Sequence, residues 1–155
     1  AIRKLHEAGY VVVVITSQSG VGRGYVPWYI IPVNHEAMSE LLVEEAGPLA
    51  GPDAIYFSQG AGDRAIHPDY MDESDVKPSS AMLHDAVELL QLSTEGAWMV
   101  GDRITDIQAG QSFGAKTILV QTGRGKKSLD SCPEELKGSF DVAQNLNEAL
   151  KFILQ

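Results

Sequence analysis

Short apolar runs alternate with stretches of helical periodicity along the chain. The first run contains β-branched residues with no polar alternation, which is typical of a parallel strand buried on both faces. The predicted strands are 10–16, 53–58, 97–100, 116–120 and, as an edge strand, 140–143. Apolar residues at helical spacing predict helices before Gly9 and over 35–46, 79–92, 105–113 and 145–154. The segments 17–32 and 123–133 are expected to be loops.

This order of elements predicts an α/β fold, with a doubly wound, mostly parallel sheet and helices on both faces. A chain of 155 residues without a long linker is expected to form a single domain over residues 1–155. Ligands of such sheets bind beyond the carboxyl ends of the strands. The polar clusters that follow the predicted strands are therefore the candidate site.

Composition excludes several other classes of protein. The chain has 12 basic and 21 acidic residues, and its net charge of −9 argues against nucleic acid as a partner. The longest aliphatic run, Val11 to Ile15, is too short to cross a membrane, so no membrane partner is expected. The single cysteine, Cys132, excludes an internal disulfide and fits a cytoplasmic location. We expect a monomer.

The first polar cluster follows the first strand directly and includes Thr16, Ser17, Gln18 and Ser19, with Arg23 shortly after. Hydroxyls and backbone N–H groups in a glycine-containing turn are good donors to phosphate oxygens. An ordinary turn of the same composition is equally compatible with these residues alone. Neither a dinucleotide-binding glycine motif nor a P-loop is present.

The second cluster follows the third strand and contains Asp102, Arg103 and Asp106. Two carboxylates at a strand end suit Mg²⁺, which prefers hard oxygen ligands. The alternative for Asp106 is a helix cap, although a cap leaves Asp102 and the adjacent arginine unexplained. Lys77, just before a predicted helix, could neutralise phosphate or carboxylate charge, although by itself it resembles a solvated lysine. The basic turn 122–127 is more simply a solvated loop.

In order and spacing, these pieces resemble the haloacid dehalogenase (HAD) phosphohydrolases. The resemblance is closest to the subgroup of D-glycero-D-manno-heptose 1,7-bisphosphate phosphatases and histidinol phosphatases. That subgroup carries T-N-Q-S-G-x-x-R-G where residues 16–24 read T-S-Q-S-G-V-G-R-G. The tracts 98–110 and 117–123 also resemble it.

The resemblance implies a role for each candidate residue. Thr16 and Lys77 would hold phosphoryl oxygens, Asp102 would ligate Mg²⁺, and Asp106 would orient the metal shell or Lys77. The remaining residues would bind the substrate, a small phosphorylated sugar or alcohol; they are Ser17, Gln18, Ser19, Arg23 and Arg103.

The chain departs from the family pattern at three places. No Asp-x-Asp occurs in it, although the family's nucleophile is the first Asp of that motif. The resemblance places the motif on a strand before Ala1, so the sheet is expected to lack its first strand and the truncated chain to be inactive alone. The segment 58–77 has no cysteine where many members bind zinc, so no zinc is expected. Val76 stands where the family has an arginine, and Ser17 where it has an asparagine.

The expected activity is therefore Mg²⁺-dependent hydrolysis of heptose 1,7-bisphosphate at its 7-phosphate, through an aspartyl-phosphate on an Asp outside this chain. Histidinol-phosphate phosphatase is the alternative within the family. A non-catalytic phosphate-binding or interaction module is the alternative of another class. A receiver-like or Rossmann-like domain is disfavoured because no nucleotide-binding motif is present.

Overall fold

A computed structural model describes residues 1–155, which form two compact units, 1–76 and 77–155. The first unit contains α1 (Ile2–Glu7), β1 (Val13–Ser17), α2 (Ser19–Gly22), α3 (Ile30–Ala46) and β2 (Ala54–Ser58). The second contains α4 (Ala81–Leu90), β3 (Trp98–Gly101), α5 (Ile104–Phe113), β4 (Lys116–Val120), α6 (Gly125–Asp130), β5 (Asp141–Ala143) and α7 (Leu146–Ile153). Short 3₁₀ turns cover Pro48–Ala50, Gly62–Arg64, Pro68–Tyr70 and Glu134–Leu136.

The predicted α/β fold is confirmed, and every strand pair is parallel. The strands form two sheets, with orders β1-β2 and β3-β4-β5. No strand of the chain pairs with both β1 and β3. The prediction of a single domain stays a prediction. None of the helices combines the length and the apolar character that a membrane crossing requires.

In the first unit, β1 pairs with β2 from Val13 opposite Ala54 to Ser17 opposite Ser58. The prediction that β1 is buried on both faces is wrong, because all five of its residues are half-buried. β2 covers one edge of β1, and no strand of the chain covers the other. The strand also begins three residues later than predicted, since the Tyr10 N–H donates to the carbonyl of Leu5 and continues the turn after α1.

The expected loop 17–32 contains the short helix α2 and the first residues of α3. α3 begins at Ile30 rather than at His35, with Pro32 in its first turn. Proline is tolerated there because first-turn N–H groups have no partner within the helix. Most of this helix faces solvent: Ile31 is its only buried residue, and Leu41 is 59% exposed.

The second unit holds the better-packed sheet. β4 lies between β3 and β5, and its residues Ile118 and Leu119 are fully buried, as is Ile107 of α5. The predicted apolar stripe of α4 is buried at Met82, Leu83 and Ala86. The expected loop 123–133 instead contains α6. This helix contacts Asp102, a residue predicted to be functional.

Candidate functional site

Lys77 and Asp106 form a buried ion pair in the second unit. The Lys77 Nζ lies 2.7 Å from Asp106 Oδ1, and the two side chains are only 11% and 5% exposed. The other oxygen, Asp106 Oδ2, accepts a hydrogen bond of 3.0 Å from the backbone N–H of Arg103, the N-cap residue of α5. The carboxylate therefore caps the helix and also holds the lysine. Sequence reasoning had treated a cap and a functional role as alternatives.

The local sequence makes room for this carboxylate. β3 ends at Gly101 and α5 begins at Ile104, so the chain turns tightly from strand to helix. A Cβ atom on Gly101 would lie 2.3 Å from Asp106 Oδ2, closer than any two such atoms can approach. A glycine at the end of β3 is therefore required for Asp106 to reach both Arg103 and Lys77.

Asp102, at the end of the same strand, is half-buried and is held by the segment after β4. Its Oδ2 accepts a hydrogen bond of 2.7 Å from the Arg124 N–H, and its backbone carbonyl accepts one of 2.8 Å from Ser128 Oγ. Its Oδ1 accepts no hydrogen bond. A carboxylate oxygen without a hydrogen-bond partner suits a hard cation such as Mg²⁺.

The rest of a metal shell is not formed by side chains of this chain. No group of three or more His, Cys, Asp or Glu side chains is arranged to hold an ion. Asp106 is already engaged by Lys77 and Arg103. Within residues 1–155, Asp102 is therefore the carboxylate that fits Mg²⁺, an ion that also keeps waters and substrate phosphate in its shell.

The first unit contains the other predicted residues, at the carboxyl end of β1. Thr16 Oγ1 accepts a hydrogen bond of 3.2 Å from Gln18 Nε2. Ser17 Oγ and Arg23 Nε are buried and have no hydrogen-bond partner. Ser19 opens α2, and its carbonyl accepts a hydrogen bond of 3.1 Å from the Arg23 N–H. This turn therefore gathers several polar groups, two of which lack partners.

Sequence reasoning missed Ser58, which ends β2 opposite Ser17. It is 1% exposed, and its Oγ also lacks a hydrogen-bond partner. Partners in register on parallel strands point to the same side of a sheet, so the two serines face the same way. The sequence feature that could have indicated Ser58 is a serine at, or directly after, the end of each of the first two predicted strands.

The predicted residues divide between the two units. Residues 16–23 lie in the first unit, and Lys77, Asp102, Arg103 and Asp106 lie in the second. Within the second unit, the structure brings Lys77 to Asp106, whereas the Arg103 side chain is exposed. That both sets act on one phosphate group stays a prediction.

Sequence reasoning also missed the contacts that hold Asp102. They come from Gly123 and Arg124, in the turn 122–127 interpreted as a solvated loop, and from Ser128, directly after it. The sequence feature that could have indicated these contacts is the pair of glycines in T-G-R-G, residues 122–125, shortly after β4. Glycine at a strand end often marks a close approach of the chain.

Comparisons with known proteins identify relatives over most of the chain. The HAD-hydrolase-like family matches residues 76–149. The D-glycero-beta-D-manno-heptose-1,7-bisphosphate 7-phosphatase of Pseudomonas putida is 34% identical over 148 residues, covering 91% of this chain and 75% of that protein. The enzyme of the same name from Neisseria meningitidis serogroup A is 32% identical over 155 residues, covering 100% of this chain and 78% of that protein.

Comparison with solved structures identifies a protein with a similar name. The crystal structure of D,D-heptose 1,7-bisphosphate phosphatase from B. bronchiseptica, complexed with magnesium and phosphate, superposes with a TM-score of 0.79 at 29% sequence identity. The match covers 99% of this chain and 79% of that one.

Proposed function

This chain belongs to the HAD-like phosphatases, and from that premise we propose that it removes the 7-phosphate of D-glycero-D-manno-heptose 1,7-bisphosphate in a Mg²⁺-dependent reaction. The observation that carries the proposal is the arrangement around β3, where Lys77 is fixed by Asp106 and Asp102 presents a carboxylate oxygen without a partner. The names of the relatives support the choice of substrate.

Lys77 is proposed to offset the negative charge of the phosphoryl group. Its ammonium is held at 2.7 Å from Asp106, so it does not have to be ordered when substrate arrives. A fixed, largely buried cation stabilises developing negative charge better than a mobile surface lysine, because little reorganisation is needed during the reaction. Thr16 is proposed to donate its hydroxyl to another phosphoryl oxygen while its own oxygen accepts from Gln18.

Asp102 is proposed to be the ligand that this chain contributes to Mg²⁺. When bound, the ion would polarise the phosphoryl oxygens and offset their repulsion of an anionic nucleophile. Asp106 is proposed to act on Lys77 rather than on the metal, because both of its oxygens already have partners.

The proposed reaction proceeds through an aspartyl-phosphate on an Asp that is not among residues 1–155, with a second Asp outside them protonating the leaving alkoxide. Water then hydrolyses the acyl phosphate. None of the carboxylates described above is proposed as the nucleophile, because no Asp-x-Asp motif occurs in the chain.

The residues after Thr16 are proposed to bind the rest of the substrate. Ser17, Gln18 and Ser19 provide short polar groups beside the phosphate-binding threonine, and Arg23 and Arg103 supply positive charge for a second phosphate. The buried Arg23 Nε and Ser17 Oγ lack hydrogen-bond partners, and a polar substrate group could supply them.

A substrate panel tests the proposal. Phosphate release by the full-length protein is measured with both anomers of heptose 1,7-bisphosphate and with histidinol phosphate, each with and without Mg²⁺. We expect Mg²⁺-dependent release from the heptose bisphosphate, with the 1-phosphate retained. Preference for histidinol phosphate would favour the second activity of the subgroup. Phosphate binding without any turnover would instead support a non-catalytic module.

A further inference from the structure

The turn and helix after β4 contact Asp102 at two different atoms. Arg124 donates its N–H to the carboxylate Oδ2 at 2.7 Å, and Ser128 donates its hydroxyl to the backbone carbonyl at 2.8 Å. The donors lie more than twenty residues away in sequence but within the same unit. Asp102 is thus fixed from outside its own strand.

The hydrogen bond from Arg124 to the Asp102 carboxylate requires the backbone at Gly123 to lie close to that carboxylate. Gly123 has φ of +59°, in the left-handed region that favours glycine, and a Cβ atom there would lie 2.3 Å from Asp102 Oδ2. The carboxylate therefore lies directly against the backbone of this turn. A hydrogen bond from an N–H to an ionised oxygen is shorter and stronger than one between neutral groups, so it favours one orientation of the side chain.

The carbonyl contact fixes the backbone to which that side chain is attached. Asp102 follows the last residue of β3 and precedes α5, so its carbonyl lies outside both the strand ladder and the helix. Ser128 lies in the middle of α6, and Arg124 is the N-cap residue of that helix. One segment thus restrains both the main chain and the carboxylate of Asp102.

We propose that residues Gly123, Arg124 and Ser128 are positioning residues that orient Asp102 so that Oδ1 alone is presented to a divalent cation. The inference rests on the proposed function, in which Asp102 is a Mg²⁺ ligand. Groups that orient a metal ligand typically change metal affinity 10- to 100-fold when removed, which is about the range expected here. The turn is then part of the metal site and not a solvated loop.

The test compares Ser128 of α6 with Ser131, the C-cap residue of the same helix. Ser128→Ala removes the hydrogen bond to Asp102, and Ser128→Thr retains the hydroxyl. Ser131→Ala is the matched control, because Ser131 Oγ donates to the Lys127 carbonyl at 2.9 Å and does not contact Asp102. Binding of Mn²⁺, used as a paramagnetic probe for the Mg²⁺ site, is measured by electron paramagnetic resonance on the full-length protein without substrate.

We expect Ser128→Ala to weaken Mn²⁺ binding about 10-fold, Ser128→Thr to restore most of it, and Ser131→Ala to leave it unchanged. The substrate KM at saturating Mg²⁺ should change little in all three. Gly123→Ala is a second variant that acts on the carboxylate itself, and it should weaken Mn²⁺ binding more than Ser128→Ala does. Circular dichroism establishes that each variant is folded.

The results for these variants distinguish failure of the positioning inference from failure of the proposed function. If Asp102→Asn weakens Mn²⁺ binding but folded Ser128→Ala and Gly123→Ala proteins bind as tightly as the wild type, the positioning inference is overturned and the proposed function stands. If Asp102→Asn binds Mn²⁺ as the wild type does, or the wild type binds none, both proposals fail.

Discussion

The Asp106 carboxylate has two partners, the Lys77 ammonium and the Arg103 N–H. Both it and Lys77 are almost completely removed from water, at 5% and 11% exposure. A buried pair gains little net stability over an apolar pair, but removal of one partner leaves the other charge buried and uncompensated. The pair is therefore sensitive to any single change.

We predict that Asp106→Ala lowers the free energy of unfolding by about 3–5 kcal/mol, because Lys77 loses its partner and α5 loses its cap. Urea denaturation measures this loss. Asp85→Ala, at an exposed position of α4, is the control and should change stability by less than about 0.5 kcal/mol. The double variant Lys77→Met/Asp106→Ala should lose less than the sum of the two single changes. A loss below about 1 kcal/mol in Asp106→Ala would show that water screens the pair.

The resemblance gave the orientation of Lys77 as one of two possible roles for Asp106. The three-residue spacing from Arg103 to Asp106 is typical of a cap, and the structure contains that cap. The partner Lys77 lies far away in sequence, so spacing alone could not connect the two. The same limit applies to Ser128 and Asp102, whose contact depends on where α6 packs.

At the scale of elements, α1 is attached to its unit through His6. Its Nδ1 lies 2.8 Å from the Leu49 carbonyl and its Nε2 lies 2.8 Å from Asp53 Oδ2. Because both ring nitrogens face acceptors, only the protonated imidazole can donate to both. The Leu49 carbonyl and then the Asp53 carboxylate raise the pKa of His6 above its ordinary value of 6.5.

The Asp53 carboxylate also belongs to this contact. Its burial alone would raise its pKa, but the hydrogen bonds from the Val12 N–H and from His6 outweigh burial and lower the pKa below 3.8. The contribution of His6 to stability is complete below its unfolded pKa of 6.5 and is lost as pH rises through the higher folded value. The contribution of Asp53 is present above 3.8 and is lost as pH falls through the lower folded value.

The His6 contact should therefore contribute more stability to the first unit at about pH 5.5 than at about pH 8.5, because His6 loses its proton in between. His35 acts in the opposite direction, because its burial lowers its pKa. Urea denaturation at the two pH values measures the difference. His6→Gln should lose more stability at pH 5.5 than at pH 8.5. Equal pH dependence in the wild type and His6→Gln would contradict this account.

Several elements could be predicted from local pattern and several could not. α5 and β4 were predicted within one residue, because a glycine ends the helix and a short apolar run forms the strand. The short helices α2 and α6 lie in glycine-rich segments whose composition is typical of loops, and contacts elsewhere in their units stabilise them. The N-terminal bound of α3 was missed because Pro32 was interpreted as part of a loop rather than as a residue of the first turn.

At the scale of the whole molecule, the strands divide into a two-stranded and a three-stranded sheet. The alternation of strands and helices predicted parallel pairing, but which strands are neighbours depends on packing that no local pattern encodes. The two sheets also differ in burial, since the residues of β1 are half-buried and most of β4 is fully buried.

Native-state hydrogen exchange should therefore differ between the sheets. We predict that the amides of β4, which has a strand on each side and buried residues such as Ile118 and Leu119, exchange more slowly than those of β1. A pair of strands alone is marginally stable, and it opens more readily than the centre of a three-stranded sheet. Exchange followed by mass spectrometry on the chain of residues 1–155 resolves the two regions. Equal protection of β1 and β4 would contradict the prediction.

The most direct test of the account is the Mg²⁺ dependence of phosphate release from heptose 1,7-bisphosphate in wild-type and Asp102→Asn proteins. Asparagine has nearly the same shape but lacks the charge that a cation requires, so we predict that Mg²⁺-dependent turnover falls about a hundredfold or more. Asp130→Asn, at an exposed position at the end of α6, is the control and should keep wild-type turnover. Near-normal Mg²⁺-dependent turnover in Asp102→Asn would contradict the central claim that Asp102 is the metal ligand of a phosphatase.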